Sequence, residues 1–250
     1  MMRKILIVFF ILIGILFSNK SRKYIFNYYI TLTKKLPSKC WLHRTNTVEK
    51  MLEISEKYEG IEIDVNFNNS DLYFDVTHDL EESINLSLEK YFKYFSKNNK
   101  KVWIDFKNLT EDNVENSLNV FDNLIKKYNL NKERFIIESS NFEMLKYYKD
   151  NGYYTSYYVP YLDLKNMSFD EIEKEKVKIK NIILTGNVSA ISFPGYMYEF
   201  IKSINTNIDL LTWEDGKKWQ ELYRKKINVE MLNDSQLKVI LVKEKGKYHR

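Results

Sequence analysis

Disulfide bonding has no foothold in this chain, because Cys40 is the one cysteine among its 250 residues. Neither an intrachain disulfide nor a cysteine zinc cluster can form, and cysteine usage carries no information about the redox compartment. Glycine and proline are scarce, at seven and three, which excludes collagen-like and Pro/Gly-rich disordered chains. No glycine-rich nucleotide loop is present, which argues against an open dinucleotide-binding sheet. An excess of one charge is lacking too: 39 Lys and Arg against 34 Asp and Glu leave a net +5. The lysines interleave with glutamates, as from Lys174 to Lys180, in the pattern of solvated helix faces rather than of a nucleic-acid footprint. No nucleic-acid partner is expected.

A long membrane-crossing run is also missing, although Ile5 to Phe17 is unbrokenly apolar after Arg3 and Lys4. That stretch is shorter than the ~20 residues of a comfortable span and resembles the h-region of a signal peptide. A cleaved signal ends in small residues, whereas Phe17-Ser18-Asn19-Lys20 offers no such site and Arg22 and Lys23 follow. Residues 1–23 therefore read as an uncleaved signal-anchor, with a cleaved signal peptide as the alternative, and the protein as membrane-anchored or exported. Positive charge on both flanks leaves the orientation open. Residues 24–38 read as a linker and 246–250 as a basic tail.

What remains, residues 39–245, is globular in composition, with 44% apolar and 15% aromatic residues over the whole chain. Short β-rich runs alternate with helical periodicity, the signature of a parallel sheet covered by helices. Strands are expected at Cys40 to Leu42, Ile61 to Phe67 with a continuation from Leu72 to Thr77, Val102 to Phe106, and Phe135 to Ile137. Four more follow at Tyr154 to Val159, Val188 to Phe193, Ile208 to Leu211 and Leu237 to Val242. A first helix opens at Asn46, with Val48, Met51, Leu52 and Tyr58 on one face and Gly60 as its stop. Leu88, Tyr91, Phe92 and Phe95 give a second helix its apolar face, and Val114, Leu118, Phe121, Ile125 and Tyr128 a third. Eight strands in sequence predict a closed, single-domain α/β structure, a (β/α)8 TIM barrel.

Barrel chemistry sits where strands end, and polar residues are concentrated there. His43-Arg44 closes the first strand, Glu62-x-Asp64 lies along the second, His78-Asp79 ends its continuation, and Asp105-x-Lys107 ends the third. Alternation puts Glu62 with Asp64, and Asp105 with Lys107, on shared faces. Three converging carboxylates repel one another unless a cation neutralises them, and oxygen ligands suit Mg²⁺ or Ca²⁺. One divalent cation is therefore expected as cofactor, held by Glu62, Asp64 and Asp105. Two of the three histidines flank this group, while His249 lies in the tail. His43 and His78 are candidates for a general acid and base, with Arg44 and Lys107 as phosphate contacts.

This succession, from Trp41 to Asn108, resembles the glycerophosphodiester phosphodiesterase family. The resemblance implies a barrel in which the two histidines are the acid/base pair and the Glu-x-Asp with a third acid holds the metal. It also implies a phosphodiester substrate, a glycerophosphodiester or a lysophospholipid-like head group. Leu211-Thr212-Trp213 is similar to a tryptophan segment on that family's seventh strand, which makes Trp213 a substrate contact, as Glu138 at the end of the fourth strand can also be. Arg44 runs straight into Thr45-Asn46-Thr47 where the family has a glycine and a longer loop, and the third acid is Asp105 rather than glutamate. Both departures are closer to the menorin-like proteins.

Two rival readings use the same barrel. Glu138 and Glu214 lie where glycosidase barrels carry their acid and nucleophile, a chemistry that needs no metal. Alternatively the barrel binds a lipid or glycan without turnover.

Overall fold

The structure, a computed structural model, describes residues 36–213 and 226–243. In chain order its strands are β1 (Cys40–Leu42), β2 (Gly60–Asn68), β3 (Tyr73–Asp75), β4 (Lys101–Phe106), β5 (Phe135–Ser139), β6 (Tyr154–Tyr158), β7 (Ala190–Pro194), β8 (Asp209–Trp213) and β9 (Leu237–Val242). All but β3 run parallel, and β1 pairs with β9 on one side and β2 on the other, so the sheet closes as the eight-stranded barrel the sequence predicts. β3 folds back antiparallel on the far end of β2, matching Asn66 to Asp75. The segment after it is thereby brought to the C-terminal mouth of the barrel.

Helices α1 (Val48–Ile54), α2 (Leu88–Phe95), α3 (Val114–Lys127), α4 (Phe142–Asp150), α5 (Phe169–Leu184), α6 (Tyr198–Ser203) and α7 (Lys226–Asn233) occupy the connections. α2 buries Leu88, Tyr91, Phe92 and Phe95, whose spacing is one face of a helix, and Ser87 caps it by accepting from the Lys90 N–H. After α4 the chain turns at Gly152, whose φ of +86° suits a residue without Cβ. The expected solvated face from Lys174 to Lys180 lies within α5, opened by a capping box of Ser168 and Glu171.

Strand alternation divides the apolar residues into two cores. Outward residues such as Ile61, Ile63 and Val65 pack with the helices, where Phe92, Phe121 and Phe135 meet tilted or edge to face. Inward residues, among them Trp41, Trp103, Leu211 and Leu241, fill the barrel itself. That filling makes the barrel a solid support with one polar end.

The first unit departs from expectation in three places. α1 begins after Thr47, which accepts from the Lys50 N–H, and the Asn46 side chain turns instead to Asp64. Leu52 is exposed while its neighbour Met51 is buried, and α1 ends at Ile54 in a single 3₁₀ turn, Ser55–Lys57. Gly60 is not a helix stop but the first residue of β2. A Cβ there would stand 2.3 Å from the Trp41 ring, so the glycine makes room for the indole inside the barrel.

Among the described residues no helix is long and apolar enough to cross a membrane. The apolar run from Ile5 to Phe17 and the basic tail lie outside the described residues, as does Glu214.

Gly60→Ala is expected to destabilise the fold by about 1–3 kcal/mol, because a buried indole with packed neighbours must shift to admit the methyl group. Denaturant unfolding measures this, and an unchanged midpoint would mean that Trp41 can move aside freely.

Candidate active site

A cleft of about 610 Å³ opens at the C-terminal mouth. Its walls bring together every residue singled out from the sequence within the described chain: His43, Arg44, Glu62, Asp64, His78, Asp105, Lys107, Glu138 and Trp213. The mechanism of convergence is strand parity. Asp64 is the register partner of Asp105, and Asp105 of Glu138, so adjacent parallel strands present their acids inward side by side.

One carboxylate oxygen from each of Glu62, Asp64 and Asp105 lies within 4.8 Å of the others. Glu62 Oε2 accepts the backbone N–H of Arg44 at 2.5 Å and stands 3.7 Å from His43 Nε2. Its other oxygen, Oε1, is buried without a hydrogen-bond partner among the described residues. Burial, then the Asp64 and Asp105 charges, push the Glu62 carboxyl well above the usual range. Asp105 is also raised, chiefly by burial, although Lys107 pulls the other way. For Asp64 burial is outweighed by Lys107 and by the Asn46 amide, and its carboxyl is held below the ordinary value. Asn46 donates to Asp64 Oδ2 at 2.7 Å and accepts the Asp64 N–H at 3.0 Å. Lys107 Nζ pairs with Asp64 Oδ1 at 2.8 Å and also with Asp105. Its burial disfavours the charge, but the two aspartates raise its proton affinity.

The donor set fits a hard divalent cation. Three oxygens converge, one has no other partner, and no thiol or imidazole is needed to complete the group. Lys107 already supplies one positive charge to two of the acids, and a divalent ion would engage the third.

The histidines face the cleft from different surroundings. Burial drives the His43 imidazole well below its usual proton affinity. His78 is more open, and its Nδ1 lies 2.9 Å from the Asp79 carboxylate. Arg44 adopts a left-handed backbone, φ 50°, an uncommon conformation for a non-glycine residue. Lys50 Nζ stabilises this turn by donating to the carbonyls of His43 and Arg44 at 2.8 and 2.7 Å. The Arg44 Nε is buried and has no hydrogen-bond partner among the described residues.

Asn46, Lys50, Trp103 and Tyr161 have no site role in the sequence pattern, where Tyr158 reads as a packing residue with a polar tip. Asn46 reads as a helix cap, and only the fold aims it and Lys50 at the site. Trp103 had a usable signal, since it precedes Asp105 by two positions on β4 and must share its face. Opposite the acids, Tyr158 stacks on Trp213 with centroids 5.2 Å apart, and Trp213 Nε1 donates to the Tyr161 hydroxyl at 3.0 Å. An aromatic wall thus faces the charged one.

No protein-family model and no curated protein sequence matches this chain. Solved structures do. A glycerophosphodiester phosphodiesterase from Parabacteroides distasonis superposes with a TM-score of 0.58 at 16% identity, over 84% of this chain and 93% of that one. A phosphodiesterase from Oleispira antarctica, solved with its product sn-glycerol-3-phosphate, gives 0.52 at 11% identity, over 82% and 92%. The likeness establishes the fold. It goes no further by itself, because N-(5'-phosphoribosyl)anthranilate isomerase from Pyrococcus furiosus scores 0.51 at 10% identity, over 82% and 89%. Activity must be argued from the site.

The raised Glu62 carboxyl has a measurable sign. Its folded form binds a proton that the unfolded chain releases near the ordinary value of 4.5. Stability therefore falls as pH rises above that value. Measured in chelator, wild type should lose stability relative to Glu62→Gln as pH increases from about 4.5 upward, and saturating divalent cation should reverse the loss. A parallel pH dependence of the two proteins would remove the carboxylate repulsion from the account.

Proposed function

We propose that this protein is a divalent-cation-dependent phosphodiesterase acting on glycerophosphodiester or lysophospholipid-like substrates. One observation carries the reading: two histidines, three clustered carboxylates, Arg44 and Lys107 share a single cleft at the catalytic end of a barrel. The structural likeness to glycerophosphodiester phosphodiesterases supports it.

Glu62, Asp64 and Asp105 would hold Mg²⁺ or Ca²⁺, which supplies Lewis-acid polarisation of the phosphoryl group. Arg44 and Lys107 would bind the non-bridging phosphate oxygens through charge-assisted hydrogen bonds. His43, kept neutral by burial, is suited to take the proton of the attacking hydroxyl, either water or a hydroxyl of the substrate itself. His78, with Nδ1 engaged by Asp79, is suited to give a proton from Nε2 to the departing alcohol oxygen. Attack by water yields a phosphomonoester and a free alcohol, and attack by an internal hydroxyl yields a cyclic phosphate and the same alcohol. The apolar run from Ile5 to Phe17, on the strength of its sequence pattern, would tether this activity to a membrane.

The glycosidase reading has no comparable support. Glu138 lies buried in the cleft wall beside Asp105, and Glu214, the partner that chemistry requires, lies outside the described residues.

The full chain should release an alcohol from glycerophosphodiesters or lysophospholipids with Mg²⁺ or Ca²⁺ and lose that turnover in chelator. His43→Ala and Glu62→Ala should each lower kcat by about 10²–10⁴-fold. Turnover that survives chelation or both substitutions would sink the proposal.

A further inference from the structure

Lys50 occupies an unfavourable place for an ammonium group. It lies in the first turn of α1, where the helix dipole disfavours a cation, and it is only 5% exposed. Burying a charge costs stability unless hydrogen-bond partners are supplied. The backbone supplies two: Nζ donates to the His43 carbonyl at 2.8 Å and to the Arg44 carbonyl at 2.7 Å. A lysine aimed in this way at the residues that follow β1 does something there that an apolar residue at the same helix position could not.

The His43 carbonyl and the Arg44 N–H belong to one peptide group, and that N–H donates to Glu62 Oε2 at 2.5 Å. A single planar amide therefore has an ammonium on its oxygen and a carboxyl oxygen on its hydrogen. Each hydrogen bond polarises the amide in the sense that strengthens the other, and low-dielectric surroundings enlarge the effect. The contact to the second carbonyl controls geometry. Arg44 has φ 50°, a conformation that persists only where its surroundings hold it, and Lys50 holds the peptide on either side of it.

The three acids thus have different groups behind them. Asp64 has Asn46 and Lys107, and Asp105 has Lys107. Glu62 has the Arg44 N–H, with Lys50 on the far side of the amide. Outer partners of this kind fix the direction of a ligand oxygen and set how tightly a cation is held. Lys50 is not among the residues that line the cleft, so it would act on the acid and not on the substrate.

We propose that Lys50 is a positioning residue that directs the Glu62 carboxylate through the peptide between His43 and Arg44, and so sets the affinity of the acidic cluster for a divalent cation. The proposal rests on the cation-dependent reading given above and deepens it.

The test compares the full chain with Lys50→Met, which removes charge and donors, Lys50→Gln, which keeps donors without charge, and Lys50→Arg, which keeps both. The first readout is the Arg44 amide-proton shift in chelator, observed with isotope-labelled arginine and assigned by its loss in Arg44→Lys. The second is the calorimetric affinity for Mg²⁺ and for Ca²⁺, each without substrate. The amide proton should move upfield in Lys50→Gln and further in Lys50→Met, and return towards the wild-type position in Lys50→Arg. Cation affinity should fall about 10–100-fold in Lys50→Met and about tenfold in Lys50→Gln, with Lys50→Arg recovering most of it. Should Lys50→Met fail to fold, Lys50→Gln decides alone. An amide shift that does not respond to residue 50 overturns the link to Glu62, whatever the protein binds. Wild-type values for Lys50→Gln in both readouts also overturn it, since Lys50 would then be no more than a tether for the turn. A wild type that binds neither cation, with an amide shift that still depends on residue 50, upholds the link to Glu62 and removes only the divalent-cation reading.

Discussion

Mutual repulsion among Glu62, Asp64 and Asp105 is the constraint around which the upper barrel is arranged. Their oxygens lie within 4.8 Å of one another, on strands whose opposite faces are packed into the outer apolar core. A low-dielectric surround makes that proximity costly, and the chain answers it unevenly. Lys107 and Asn46 favour the charge on Asp64, whereas Glu62 accepts a backbone N–H and, among the described residues, has no partner for its second oxygen. The unevenness is what suits the cluster to a cation, since the least compensated acid is the one a divalent ion would serve.

The rest of the molecule holds this cluster still. Trp41, admitted into the barrel by Gly60, and Trp103 fill the interior below it. The left-handed turn at Arg44 directs a backbone N–H at Glu62 and is tied down by Lys50. The Tyr91 hydroxyl, reaching in from α2, donates to the Thr45 carbonyl at 2.9 Å. The first βα loop is short, yet it has contacts from β2, α1 and α2, and these position His43 without a glycine in the turn.

Much of the site was legible beforehand because strand parity is a local rule. Glu62 with Asp64, and Asp105 with Lys107, had to share faces once their segments were strands, and polar residues at strand ends had to meet once the sheet closed. The weakest inferences were those in which one residue type serves two ends. Asn46 before a helix reads as a cap, and Gly60 after one reads as a stop. Their actual partners, Asp64 and Trp41, are distant in sequence or on another strand, and no local pattern announces them.

Composition and periodicity by themselves determined the eight-strand order, the closed barrel and the set of strand-end residues, because these follow from alternation along single segments. Only the tertiary structure decided which acid is least compensated, which histidine is the more buried, and that Trp103 Nε1, Glu138 Oε2 and Ser156 Oγ have no hydrogen-bond partner among the described residues. Those properties depend on burial and on neighbours from other parts of the chain. A residue's solvation and partners exist only after the barrel has closed around it.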